Sequence, residues 1–360
     1  RSKILSSVLS FLRLPPLSTT RDLLKLYKLT ATKSLSQNFL LNEQLTDKII
    51  RKAGNLSACH VLEIGPGPGG LTRSIMRKCP KHLTVIEKDK RFQPILEMLA
   101  ESFSAINGKM DIIYDDIMKI KMENLFPESE KKRWDEGKPN IHLVGNLPFN
   151  VSTPLIIQWL HAISEQSGPW ALGRCRMTLT FQKEVAERLV AQPHGDQRCR
   201  LSVMAQAWTF PIMHFIIPGK AFVPRPKVDV GVVTFAPLVV PRTKHEFKLF
   251  EKVTRHIFSF RQKYSIRGAE TLFPLECRKE LGKEMYELSD IDPKTKSTQL
   301  TVEDFDKLVS SYKHLVEKHP EIGNYVYRTS RKILSKSLTK RIEIEALTDI
   351  EDTEMEEYGY

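Results

Sequence analysis

The stretch His60–Gly70, HVLEIGPGPGG, decides the fold. Val61, Leu62 and Ile64 form a short apolar run, which predicts a buried strand. Gly65, Gly67, Gly69 and Gly70 follow at once, so the strand runs into a glycine loop that opens a helix and lets backbone lie close to a ligand. Taken alone, the G-x-G-x-x-G spacing of Gly65, Gly67 and Gly70 suits a dinucleotide enzyme. It equally suits a tight strand-to-helix turn that binds nothing.

Two features narrow the choice. Pro66 and Pro68 stand inside the loop and carry no N–H, so the loop is poor at cradling a pyrophosphate. A ligand without phosphates, such as S-adenosylmethionine, fits better. The next strand, Leu83–Ile86, ends in Glu87, about 20 residues past the glycines, where an acidic side chain meets ribose hydroxyls in this architecture. A third strand, from Asp111 to Tyr114, ends in Asp115 and Asp116, placed to read an adenine amino group. A nicotinamide enzyme has no need of that third acidic position.

Outward from the loop, strands and helices alternate. A helix from Glu43 to Ala53 precedes it. After it come a helix around Phe92 to Glu101, a lysine-rich insertion from Lys119 to Lys138, the strand Ile141–Gly145, an apolar helix from Pro154 to Ile163 and the strand Met177–Phe181. The repeated order predicts an α/β fold with a doubly wound, mostly parallel, Rossmann-like sheet. Phe210–Ile217 and Val228–Phe235 are joined only by a short proline-rich loop, which predicts an antiparallel pair at the sheet edge.

Beyond a linker around Pro237 to Lys244, Phe247, Phe250, Val253, Ile257 and Phe258 repeat at helical spacing. Thr301 with Asp304 predicts a capped helix from Val302 to Lys318. The expected divisions are a basic segment (1–34), a doubly wound α/β domain (35–240), a helical domain (241–330) and a charged mobile tail (331–360). In the first of these, Asp22 is the only acid from Arg1 to Lys33, a composition that suits a mitochondrial transit segment. The same segment also reads as a basic helix, with Thr20 as cap and Leu23, Leu24, Leu26 and Tyr27 as its apolar face.

The 360 residues allow a large α/β domain plus a smaller one. The net charge of +12 makes a polyanion the natural partner. No apolar run reaches the roughly 18 residues of a membrane span. The five cysteines form no C-x-x-C pair and no cluster with histidine at ligand spacing, so neither a metal site nor a disulfide scaffold is expected.

With Gln37-Asn-Phe-Leu, the glycine loop, Glu87, Asp116 and Asn146-Leu-Pro-Phe in this order, the chain resembles the ribosomal RNA adenine dimethyltransferase family, and within it the mitochondrial branch. The likeness runs from about Leu14 to Lys318 and includes NLPFNVSTPLI, TFQKEVAERL and AFVPRPKVDVGVV. It implies S-adenosyl-L-methionine as methyl donor. It also implies N6,N6-dimethylation of two adjacent adenosines in a hairpin loop of mitochondrial small-subunit ribosomal RNA, in the matrix, in support of assembly of the small ribosomal subunit.

The same likeness assigns roles. Gln37, Asn38, Leu40, Gly65, Gly67 and Asn146 line the donor pocket; Glu87 holds the ribose with Lys88 beside it; Asp116 bonds the donor's adenine with Ile117 packed nearby. Asn146, Leu147, Pro148 and Phe149 carry the chemistry. An adenine N6 lone pair is delocalised into the ring. Carbonyl acceptors that hold both N–H bonds out of plane free it. Asn146 offers a side-chain carbonyl, Leu147 or Pro148 a backbone one, and Phe149 a face for the base, with Phe222 as a second aromatic wall. Lys220, Arg225 and Lys227 near the pocket, and Arg255, Arg261, Lys263 and Arg267 farther along, are candidates to grip RNA. A second reading is a transcription factor that keeps the fold and binds mitochondrial DNA and the transcription machinery. The intact NLPF, Glu87 and Asp116 favour the enzyme.

Overall fold

The structure, a computed structural model, describes residues 17–32, 35, 37–122 and 124–327. The expected leader before Leu17 and the charged tail from Arg331 lie outside these residues. Helix α1 (Thr20–Leu26) is capped by Thr19, whose hydroxyl accepts the Asp22 N–H at 3.2 Å, one residue earlier than expected. Leu23 and Leu24 are buried, but the helix stops before its next turn and leaves Leu26 70% exposed. Strand β1 (Phe39–Leu40) and helix α2 (Glu43–Ala53), capped by Asn42, lead to the central sheet.

The sheet is built by β2 (His60–Ile64), α3 (Gly70–Met76), β3 (His82–Ile86), α4 (Gln93–Ser104), β4 (Met110–Ile113), β5 (Ile141–Gly145), α5 (Phe149–Ser164) and β6 (Arg176–Gln182). Then follow α6 (Lys183–Val190), α7 (Arg200–Trp208), β7 (Thr209–Ile217), β8 (Phe222–Val223) and β9 (Val230–Pro237). Strand order is β4-β3-β2-β5-β6-β9-β7, with β2 to β6 parallel, β9 antiparallel to β6, and β7 antiparallel to β9. This is the expected Rossmann-like sheet with an antiparallel edge. Every residue of β2 is buried, as a central parallel strand covered on both faces requires. A small second sheet pairs β1 with β8, Leu40 opposite Phe222.

Helix α5 begins at Phe149, earlier than the expected Pro154. A proline reads locally as a helix start. Here Leu155, Ile156, Trp159 and Leu160 bury one face, and the turn ahead of the proline continues the helix from the NLPF segment.

One face of the sheet carries a row of polar side chains across four strands. His142 Nε2 lies 2.9 Å from the Thr178 hydroxyl, Thr178 lies 3.1 Å from Thr234, and Thr234 lies 2.9 Å from His214 Nε2. His214 stands at the β7 bulge, where the register slips between Met213 and Phe215.

The remaining chain is helical: α8 (Phe247–Phe258), α9 (Ser265–Ala269), α10 (Arg278–Ser289) and α11 (Val302–Lys318). Thr301 and Asp304 cap α11 reciprocally, as the sequence predicts. Phe247 and Phe250 pack on Trp208 at 5.0 and 5.3 Å between ring centroids, and Phe247 stacks on His161 at 4.7 Å. Leu143, Met177 and Phe235 of the sheet share one apolar cluster with Phe250, Leu308 and Leu315 of these helices. Arg198, fully buried, reaches across: its guanidinium donates to the Ala191 carbonyl at 2.8 Å, to Gln206 at 2.6 Å and to the Leu300 carbonyl at 3.3 Å. Among the described residues no helix is long and apolar enough to cross a membrane.

Candidate active site

A cleft opens at the carboxyl ends of β2, β3 and β5, where a doubly wound sheet presents its loops. Gln37, Asn38, Phe39 and Leu40 wall one side, the glycine loop forms the floor, and Glu87, Asn146 and Pro148 complete the rim. The loop spends its own N–H groups. Gly65 donates to the Ile86 carbonyl at 2.9 Å, Gly69 to the Pro66 carbonyl at 2.9 Å, and Gly67 to Glu87 Oε2 at 2.8 Å. With Pro66 and Pro68 lacking donors, this loop has little to offer a phosphate. Gly67 adopts φ 53°, a left-handed conformation costly for other residues. Gly70 has a different reason: a Cβ there would lie 2.6 Å from the Leu40 carbonyl oxygen, so α3 starts in contact with the cleft wall.

Glu87 is 6% exposed, and its second oxygen accepts the Asp89 N–H at 2.8 Å. Burial pushes its carboxyl above the ordinary value, and the N–H groups of Asp89 and Gly67 pull against that rise. The Lys88 N–H acts in the same sense, and the acceptor capacity that remains at the cleft rim suits a ribose hydroxyl. Burial alone would raise Asp89 too, but hydrogen bonds from Arg91 and Gln37 outweigh it and hold the carboxyl below its usual range. Gln37 donates to Asp89 at 2.9 Å and accepts the Thr32 N–H at 3.0 Å, which fastens the segment before β1 along the cleft.

Lys88 and Asp116 stand just past the ends of adjacent strands β3 and β4, and pair at 2.9 Å. The Lys88 hydrogen bond is the main reason the Asp116 carboxyl sits below its ordinary value. Behind the loop, Glu63 is 1% exposed and neither oxygen makes a hydrogen bond. Burial, with the Glu87 charge adding, pushes it up to about 8; Thr72 beside it eases the shift without reaching hydrogen-bonding geometry.

Asn146 is held from two sides. Its Nδ2 donates to the Asn38 carbonyl at 3.4 Å, and its Oδ1 accepts the Thr180 hydroxyl at 2.8 Å. Leu147 is buried, and the Pro148 carbonyl accepts the Val151 and Ser152 N–H groups at 3.0 and 3.1 Å as α5 begins.

The structure thus brings Gln37, Asn38, Leu40, Gly65, Gly67, Glu87, Asn146 and Pro148 to one cleft. Lys88 and Asp116 lie at the same end of the sheet, and Ile117 is buried in the core. Phe149 is half-buried at the first turn of α5. Phe222, expected as an aromatic wall, is only 2% exposed: pairing of β8 with β1 draws its ring into the core, and here it presents no face to a base. Lys220, Arg225 and Lys227 are exposed on the loop around β8, next to the cleft wall. Lys263 is exposed after α8, whereas Arg261 is half-buried and donates to the Asp196 carbonyl. Thr46 on α2, also in the cleft lining, carries no motif that would single it out; Thr180, behind Asn146, opens the TFQKEVAERL stretch, which by itself gives that threonine no role. The cleft fits S-adenosylmethionine: a buried acid with acceptor capacity at the rim stands beside a loop that a phosphate would not satisfy.

The chain matches the family model described as "Ribosomal RNA adenine dimethylase" over residues 28–314. It is 51% identical over 332 residues to mitochondrial dimethyladenosine transferase 1 of Bos taurus, covering 92% of this chain and 96% of that one. Against dimethyladenosine transferase 1, mitochondrial, of Homo sapiens the identity is also 51% over 328 residues, covering 91% and 94%. Among solved structures, a dimethyladenosine transferase from Plasmodium falciparum superposes with a TM-score of 0.58 at 23% identity, over 78% of this chain and 97% of that one. The 23S rRNA methyltransferase ErmE gives 0.53 at 18%, over 77% and 100%; these two likenesses bear on the fold. Sheet order, cleft and whole-length similarity converge, and the chain belongs to the ribosomal RNA adenine dimethylase family, whose methyl donor is S-adenosylmethionine.

Proposed function

We propose that this chain dimethylates N6 of two adjacent adenosines in a hairpin loop of mitochondrial small-subunit ribosomal RNA, in the matrix, during assembly of the small subunit. Family membership and the mitochondrial names of its relatives support the reaction and the compartment. The observation that carries the residue assignment is the two-sided grip on Asn146 at the cleft rim. The Asn38 carbonyl only accepts, so Nδ2 must face it and Oδ1 must face Thr180. The second lone pair of Oδ1 is then available to an adenine N6–H. Because the Pro148 carbonyl is taken by α5, the backbone acceptor for the other N–H is that of Leu147. Two acceptors hold the amine's hydrogens aside and turn its lone pair toward the donor.

When bound, the donor supplies a methyl group on a sulfonium. The N–C bond forms as the S–C bond breaks, and the amine proton leaves to water once nitrogen is positive, so no strong base is required. Phe149, at the start of α5, is the side chain for stacking on the extruded base, whose unstacking costs a few kcal/mol and least in a loop. Lys220, Arg225 and Lys227 flank the cleft wall to take the RNA backbone, with residues 241–330, including Lys263 and Arg261, as the supporting module. Duplex DNA and the transcription machinery, the second reading, draw support only from the net charge of +12, which either polyanion satisfies. The test is methylation of a small-subunit hairpin RNA by Asn146→Ala. Activity is expected to fall at least about 100-fold; undiminished dimethylation would remove Asn146 from the reaction.

A further inference from the structure

Strand register explains why Thr180 meets Asn146. Parallel pairing of β5 with β6 sets Gly145 opposite Leu179, so the next residue of each strand falls in line: Asn146 and Thr180. Thr178 and Thr180, two apart, share a face of β6. Thr180 is fully buried, and its hydroxyl donates to Asn146 Oδ1 at 2.8 Å, while the other restraint on that amide is a longer contact of 3.4 Å.

An asparagine amide is nearly symmetric in shape, and rotation by half a turn exchanges oxygen for NH2. In the wrong orientation the rim would present N–H groups to an amine whose own N–H groups need acceptors, and transfer would stall. The Asn38 carbonyl, which only accepts, decides which end of the amide faces it, but at 3.4 Å it holds that end loosely. The Thr180 hydroxyl does not select the end, since it can donate or accept; close by and carried on a central strand, it fixes the amide plane and the place of Oδ1.

We propose that Thr180 is a positioning residue for methyl transfer, holding the Asn146 carbonyl toward the target amine without itself touching donor or base. This rests on the assignment of Asn146 under the proposed function. Neither the cleft lining nor the NLPF motif includes Thr180, and a valine there would fill the same space without the hydroxyl.

The test compares Thr180→Val and Thr180→Ser in single-turnover methylation of a small-subunit hairpin RNA, with donor affinity measured separately by calorimetry. Thr180→Val is expected to lower the rate constant about 10-fold or more, the worth of one well-placed hydrogen bond, while donor affinity and KM for RNA stay within about two-fold. Thr180→Ser should restore most of the rate. A Thr180→Val enzyme with the wild-type rate overturns the proposal, and so does a serine variant as slow as the valine. A rate loss matched by loss of donor binding also overturns it, since that marks general disorder of the cleft. Asn146→Ala in the same assay separates the two ideas. If it is inactive while Thr180→Val is fully active, only the positioning role falls; if it is active, the Asn146 assignment falls.

Discussion

Gly67 gives its N–H to the buried carboxylate of Glu87 at 2.8 Å, so the glycine loop and the end of the neighbouring strand are tied by one bond. The carboxylate proposed to hold the donor's ribose therefore also shapes the loop beneath it. The Asp89 N–H on the other oxygen makes it a junction between the loop after β2 and the end of β3.

Replacing Glu87 tests that junction. Glu87→Gln keeps the shape but turns an NH2 toward one of two N–H donors, so donor affinity by calorimetry should fall about 10-fold or more, since one badly matched buried polar group costs on the order of 1–3 kcal/mol. Unchanged affinity would mean that the ribose lies elsewhere.

Glu63 supplies a pH signature. Below its ordinary value of 4.5 the carboxyl is protonated whether the chain is folded or not, and its contribution to stability is fully present. As pH rises toward about 8, the unfolded chain releases a proton that the folded chain retains, so stability is lost by up to about 1.4 kcal/mol per pH unit. Glu63→Gln should flatten this slope between pH about 5.5 and about 7.5, and should unfold at higher urea than the parent near the upper limit. An identical slope in both proteins would show that Glu63 is not the titrating group.

Arg198 joins the sheet side of the molecule to the helices through neutral oxygens of Ala191, Gln206 and Leu300. Burial is the main cause that pushes its guanidinium down to about 10, which still leaves it charged at neutral pH. Arg198→Met keeps much of the volume but strands those acceptors, and urea unfolding should show a loss of about 2–4 kcal/mol. A neutral result would place the coupling entirely in the apolar packing of Trp208 on Phe247 and Phe250.

Much of this was legible locally. The glycine loop, Glu87 and NLPF each announce themselves within a few residues, because tight turns and strand ends demand particular residue types. The antiparallel edge of β7 and β9 was legible from one short loop. Contacts set by the pairing of distant strands were not legible. Thr180 opens the TFQKEVAERL stretch, but nothing near it in the chain points to Asn146 until β5 and β6 are aligned. Phe222 looks like a loop aromatic until β8 is seen to pair with β1, which turns its ring inward. The one-residue error in the α1 cap arose because Thr19 and Thr20 are chemically equivalent candidates.

The row from His142 to His214 has a direction. Burial drives His142 down to about 3, so its imidazole is neutral, and its Nδ1 is buried with no partner. An unpaired N–H is costlier to bury than an unpaired lone pair, so the proton belongs on Nε2 and points to Thr178. Thr178 accepts there, so its own hydrogen is free to reach Thr234, which lies 2.9 Å from His214 Nε2. Carried in one sense along the row, these bonds would set two imidazoles, on strands separated by two others, in opposite tautomers.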